Sequence, residues 1–174
     1  MNKYKFSLIT IMIIAAAASR FIPHPPNFSS IAAIAIFGGA YFGDKKLSFI
    51  IPLLAMFLSD IYLGFHRLIP AVYTSFAIIV FIGFKLREKK TPINIGLAAI
   101  SGSVIFFVIT NFAVWIISNY YPHTIDGLIK CYITAIPFFQ NSLGGDLTYT
   151  ILLFGSFELL KKYIPYIKEL KIEN

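Results

Sequence analysis

Residues 19–43 read SRFIPHPPNFSSIAAIAIFGGAYFG. The opening ten positions gather Arg20, His24, Asn27 and three prolines, and the rest is almost purely apolar. Another apolar run, SLITIMIIAAAA at 7–18, comes directly before. Pro23, Pro25 and Pro26 each fix φ and remove a backbone donor, so the link is predicted to be extended and stiff. A short, polar, rigid connection between two apolar runs is the pattern of helices in a membrane joined outside it.

The rest of the chain repeats this pattern. Of 174 residues, 57% are hydrophobic and 13% charged, and the mean hydropathy is +0.76. A soluble domain carries roughly 25% charged residues. The expected fold class is therefore an all-α membrane protein forming one integral membrane domain over 1–174. A helix rises about 1.5 Å per residue, so about 20 residues cross the hydrocarbon core. Six spans are predicted: Phe6–Ser19, Ser30–Gly43, Leu47–Phe65, Leu68–Phe84, Ile93–Ile117 and Gly144–Leu160. The first two are short and must borrow from their flanks. Asp126–Phe139, with Pro137 inside it, reads as a separate outer interfacial or lid helix. The tight links predict antiparallel neighbours.

Basic residues set the orientation. With a cytoplasmic N-terminus, the inner segments hold Lys3, Lys5, Lys45, Lys46, Lys85, Arg87, Lys89, Lys90, Lys161, Lys162, Lys168 and Lys171. The outer segments hold Arg20, Arg67 and Lys130. That excess predicts six spans with both termini cytoplasmic, in the cell inner membrane. The start also fits a signal peptide, with basic MNKYK, an apolar stretch and a small-residue site. Cleavage there would leave five spans in the same orientation; retention of the first span is preferred.

The net charge of +7 would raise nucleic acid as a partner in a soluble protein. Here the basic residues sit in short links and no aromatic-basic surface accompanies them, so no nucleic-acid partner is expected. Cys131 is the only cysteine, which excludes an internal disulfide and a thiolate cluster. Neither phosphate-loop, dinucleotide, zinc-protease nor serine-hydrolase motifs occur, and no cofactor is expected. His24, His66 and His123 with Asp60 contain ligand types that suit zinc, nickel or cobalt, but their spacing matches no metal pattern, so no metal site is assigned.

The polar side chains fall on one side. The three histidines face outward in this topology. Asp60 lies toward the outer end of the third span, Asn111 in the outer half of the fifth, and Gln140, Asn141 and Asp146 at the outer start of the sixth. A carboxylate at a helix centre costs roughly 2.5–3.5 kcal/mol on insertion scales, so several at one depth point to a shared wet pocket. Asn111 and Trp115 are four apart on one helix face. The predicted ligand-binding set is Arg20, His24, Asn27, Asp60, His66, Asn111, Trp115, Asn141 and Asp146. Arg20, or the amides at the start of the sixth span, would meet an anionic group, and Asp60 a cation or hydroxyl.

Each also has a structural explanation. Arg20 can snorkel to headgroups and Asn27 or Ser29 can cap the second span. Asp60 can pair with Arg67 or Arg20. His66 can be an interfacial side chain, and Asp146 a first-turn acid favoured by the helix dipole. Trp115, Tyr120 and Tyr121 can form an aromatic belt. The small residues of AAAAS, GGAYFG and GLAAISGS predict close helix packing.

The blocks RFIPHPPNF at 20–28 and LSDIYLGFH at 58–66 resemble a family of uncharacterised bacterial transmembrane proteins. A looser resemblance joins the six short helices, the small-residue second span and SDIYLGF to the substrate-binding S-components of energy-coupling factor transporters. It implies vitamin or metal-ion capture near the outer face, and partnership with a transmembrane T-subunit and two ATPases. T-subunit docking would fall on Ala15–Ser19. The expected function is a membrane-embedded, small-molecule-binding subunit of a transporter, surrounded by membrane lipids. The alternatives are an intramembrane enzyme acting on a lipid or isoprenoid, and a structural or assembly subunit without ligand.

Overall fold

The computed structural model describes residues 1–164; Lys168 and Lys171, counted above among the inner charges, lie outside the described residues. The described residues form α1 (Lys3–Ala18), α2 (Ile31–Tyr41), α3 (Lys45–Leu63), α4 (Ile69–Leu86), α5 (Pro92–Ile117) and α6 (Ile125–Tyr163), with no strand. A 3-10 turn, Ser19–Phe21, continues α1. Four helices are long and apolar enough to cross a membrane, namely Lys3–Phe21, α3, α4 and α5. By length and composition this is an all-helical membrane protein.

Most helices start on a local signal. The Asn2 side chain accepts from the Lys5 amide at 2.8 Å, and Asp44 accepts from the Lys46 and Leu47 amides at 2.6 and 3.1 Å. Thr91 and Thr124 do the same for α5 and α6, each at 3.2 Å. Such caps satisfy amides that lack a partner in the first turn. Two helices lack a side-chain cap: α4 has Leu68 at its N-cap and a proline in its first turn, and Ser30, at the N-cap of α2, donates its hydroxyl to Ala16 O on α1 at 2.7 Å instead.

α2 is also short. Its 11 residues rise about 16 Å, roughly half a hydrocarbon core. All of them are buried, and α2 packs against every other helix. Small residues make that possible. A Cβ on Gly39 would lie 2.5 Å from Val80 O and one on Gly83 2.5 Å from Ile36 O, so α2 and α4 touch backbone to backbone. Gly38 takes the ring of Pro52 from α3, and Gly102 of α5 lies against Ala32 and Ile36. Of the predicted small-residue pair in GGAYFG, Gly39 makes a contact of this kind and Gly43 has open space.

Neighbours complete the two ends of α2. At the start, Asp146 of α6 accepts the Ala32 amide on Oδ1 at 2.9 Å and the Ser103 hydroxyl of α5 on Oδ2 at 2.7 Å. At the finish, Arg87 donates from Nε to Gly39 O at 2.8 Å and from Nη1 to Gly43 O at 3.2 Å. Its Nη2 donates to Ser48 Oγ at 2.8 Å, and the guanidinium lies over the Phe84 ring at 4.4 Å. An acceptor at the N-terminus and a cation at the C-terminus both match the helix dipole.

Two expectations are corrected here. The interfacial helix Asp126–Phe139 and the span Gly144–Leu160 are parts of one 39-residue helix, α6, which carries Pro137 inside it. The stretch NSLGGD is therefore mid-helix. Gly145 lets α6 approach the backbone before α2, where a Cβ would lie 2.7 Å from Ser29 N. Asp146 is not a first-turn acid of its own helix, and α6 offers no free amides there for an anion; its carboxyl group caps α2 from the side.

The α2–α4 crossing yields a stability test. Gly39→Ala is expected to cost about 1–3 kcal/mol, because the new methyl meets backbone that cannot swing aside. Gly43→Ala is expected to stay within about 0.5 kcal/mol. Denaturant unfolding of the two purified variants in detergent checks the contrast.

Candidate functional site

At the end of the bundle where α1, α3 and α5 finish, one charged pair organises the interior. Arg20, on the turn after α1, places Nη1 2.7 Å from Asp60 Oδ1, with the two side chains 14% and 5% exposed. The same Nη1 donates to Ser59 Oγ and contacts Met56 Sδ at 3.7 Å. The Tyr73 hydroxyl of α4 donates to Asp60 Oδ2 at 2.8 Å. Asp60 is thus satisfied on both oxygens, as a buried carboxylate must be. Of the two structural partners weighed for Asp60, Arg20 is the one it has.

Above this pair the Ile22–Ser30 link folds over the start of α2. Asn27 takes a positive φ of 63°, a conformation asparagine tolerates better than most residues. A turn joins the Phe28 amide to Pro25 O at 3.0 Å, and Asn141 of α6 donates to Pro26 O at 2.9 Å. The turn shapes the link from within, and Asn141 ties it to α6.

Beneath it lies a chamber of about 410 Å³. Its polar lining includes Arg20, His24, Asn27, Asp60, His66 and Asn111. These six of the predicted set are brought together. The other three are elsewhere. Trp115 Nε1 donates to Pro122 O at 3.0 Å, and its ring lies 5.6 Å from that of His123. Asn141 is occupied with Pro26, and Asp146 is buried at the head of α2.

The chamber also has walls that the sequence reading missed: Thr110 and Ser142, and the rings of Phe106, Phe107, Phe138 and Phe139. Helical spacing carried a signal for them. Phe106 and Thr110 are four apart on α5, as are Phe107 and Asn111, and so are Phe138 and Ser142 on α6. The last pair is legible only once α6 is continuous.

Two further spaces open at the same end. A vestibule of about 730 Å³ lies between His66, Arg67 and Leu68 and the exit of α5, from Val114 to Tyr120. A third, of about 310 Å³, lies between α5 and α6 around Asn111, Cys131 and Phe138. Among the described residues no three of His, Cys, Asp and Glu stand close enough to hold a metal. The arrangement offers a polar floor, a stiff roof and aromatic sides, which suits reversible binding of a small organic molecule.

Over residues 1–167 the chain matches the family described as "Family of unknown function (DUF6580)", and it belongs to that family. No curated protein and no solved structure matches it.

The buried pair makes a clear stability prediction. Arg20→Met leaves Asp60 without its cation and is expected to destabilise by about 3–5 kcal/mol. The double variant Arg20→Met, Asp60→Leu is expected to recover most of that loss. Unfolding midpoints of the single and double variants in detergent check it; an additive double variant would show that the pair is not coupled.

Proposed function

We propose that this protein captures a small molecule at the outer face of the cell inner membrane and serves as the substrate-binding subunit of a transporter. In this reading it has six spans with both termini cytoplasmic, and works in the manner of the S-components of energy-coupling factor transporters. The RFIPHPPNF and LSDIYLGFH blocks supply the roof of its binding chamber and the charged end of its third span.

One observation carries the proposal. The chamber that joins Arg20, Asp60, His24, Asn27, His66 and Asn111 opens at the end of the bundle where Arg20 and Arg67 lie. That is the end with few basic residues, and hence the outer one by the charge rule. Its volume of about 410 Å³ falls in the range of small-molecule sites. The short α2 fits this picture. Irregular backbone at membrane depth is tolerated where it is buried in protein or lines a cavity, and the Ile22–Ser30 link supplies such a lining.

Capture without an ATPase motif needs a source of energy. A transmembrane T-subunit and two ATPase subunits would supply it, with membrane lipids around the bundle. The purely structural alternative required the charges to be consumed and no cavity to remain. Arg20, Asp60 and Asp146 are indeed paired, yet the chamber persists beside them, which favours capture.

The test is native mass spectrometry of the full chain released gently from membranes. A bound small molecule is expected on the wild type. It should be lost from Asn111→Phe, which fills the chamber, while the melting temperature stays within a few degrees. Bare protein from every preparation, or an adduct that survives Asn111→Phe, counts against the proposal.

A further inference from the structure

The chamber and the vestibule adjoin, since His66, Leu68 and Val114 line both. Charge in the joined space is uneven. Among the described residues Asp60 is the only carboxylate lining it, and both its oxygens are taken, by Arg20 and by Tyr73. Arg20 and Asp60 therefore offset one another. Arg67 is different. It lines the vestibule, is exposed, and has no hydrogen bond or ion pair among the described residues.

A neighbour of Arg67 is a donor too. His66 Nδ1 accepts the Leu68 amide at 3.2 Å. An imidazole that accepts on Nδ1 carries its proton on Nε2, so the free nitrogen of His66 is a donor. One guanidinium and one imidazole N–H thus border the same space, with no acidic side chain among its lining residues.

We infer that Arg67 and His66 receive the anionic end of the captured molecule, an organic carboxylate or phosphate whose apolar body lies in the adjoining phenylalanine-walled chamber. Arg67 then supplies the charge and its fork geometry. His66 supplies an oriented donor. The Arg20–Asp60 pair faces the other end of the ligand, where a neutral hydroxyl, carbonyl or amide can exchange hydrogen bonds without disturbing the charge balance. Phe106, Phe107, Phe138 and Phe139 favour an aromatic or otherwise apolar body. This inference rests on the capture reading and adds the sign of the ligand's charge to it.

Three probes of one shape separate the possibilities: 3-phenylpropanoate, 3-phenylpropan-1-ol and 3-phenylpropan-1-ammonium. Each is titrated against the full chain in dodecyl maltoside, with melting temperature and calorimetric heat as readouts. The carboxylate alone is expected to bind. Arg67→Gln is expected to weaken it about tenfold or more, without changing the melting temperature of the probe-free protein. Equal binding of the alcohol or the ammonium, or undiminished binding of the carboxylate to Arg67→Gln, overturns the inference. So does silence from all three probes.

Native mass spectrometry keeps the two failures apart. A neutral or cationic bound molecule overturns the anion site and leaves capture standing, whereas bare protein removes capture itself. The carboxylate titration is then repeated in phosphatidylcholine nanodiscs with and without phosphatidylglycerol. A response that persists in both supports a free organic anion. One abolished by phosphatidylglycerol assigns the vestibule to a lipid headgroup and overturns the small-solute reading.

Discussion

A helix of half-membrane length, enclosed on all sides by protein, cannot finish its own hydrogen bonds. Four amides at its start and four carbonyls at its end lack intrahelical partners, and water is not there to replace them. In this protein Asp146, supported by Ser103, serves the start of α2, and Arg87 serves the finish. The rest of the architecture is consistent with that requirement. α6 must run unbroken past residue 146 so that the Asp146 carboxyl group reaches Ala32. α4 must end where Arg87 can turn back over Gly39. Ser30 is then free to hold α1 through Ala16 O.

The same requirement makes room for a site. Because α2 stops short, the Ile22–Ser30 link occupies depth that a full-length helix would have filled. The link is stiffened by its prolines and fastened to α6 through Asn141 and Pro26. What it covers is a chamber rather than packed side chains. Small residues on four helices bring the bundle close around α2, and bulkier side chains, including four phenylalanines of α5 and α6, are left at the chamber end. Tight packing in one region and open volume in another follow from where glycine and alanine fall in the sequence.

Charge follows a related division. Arg20 is half-buried and Asp60 buried, at 14% and 5% side-chain exposure, and among the described residues they are held by each other and by nearby hydroxyls and sulfur. Such a pair adds little net stability, but losing one member is expensive, so it fixes the relation of α1 to α3. Arg67 belongs to the exposed rim and has no such partner among the described residues. A neutralised pair in the depth and an unopposed cation at the mouth give the cavity an internal polarity that neither arginine would have alone.

Local sequence is enough to read the all-helical, membrane-like class of the molecule and the places of most helices. Those properties depend on local composition: apolar runs, prolines at 23, 25 and 26, basic links, and capping residues such as Asp44 and Thr91. It also grouped Arg20, His24, Asn27, Asp60, His66 and Asn111, which line one chamber, with Trp115, Asn141 and Asp146, which do not. It could not say which acid pairs with which base, and it read Gly144–Gly145–Asp146 as a helix start. Glycines and a following acid are local signs of a cap, but here Gly145 admits the backbone of Ser29 and Asp146 serves a helix 114 residues away in sequence. Only the tertiary structure decides such cases, because the partner that satisfies a buried polar group is set by which helices pack together and at what depth.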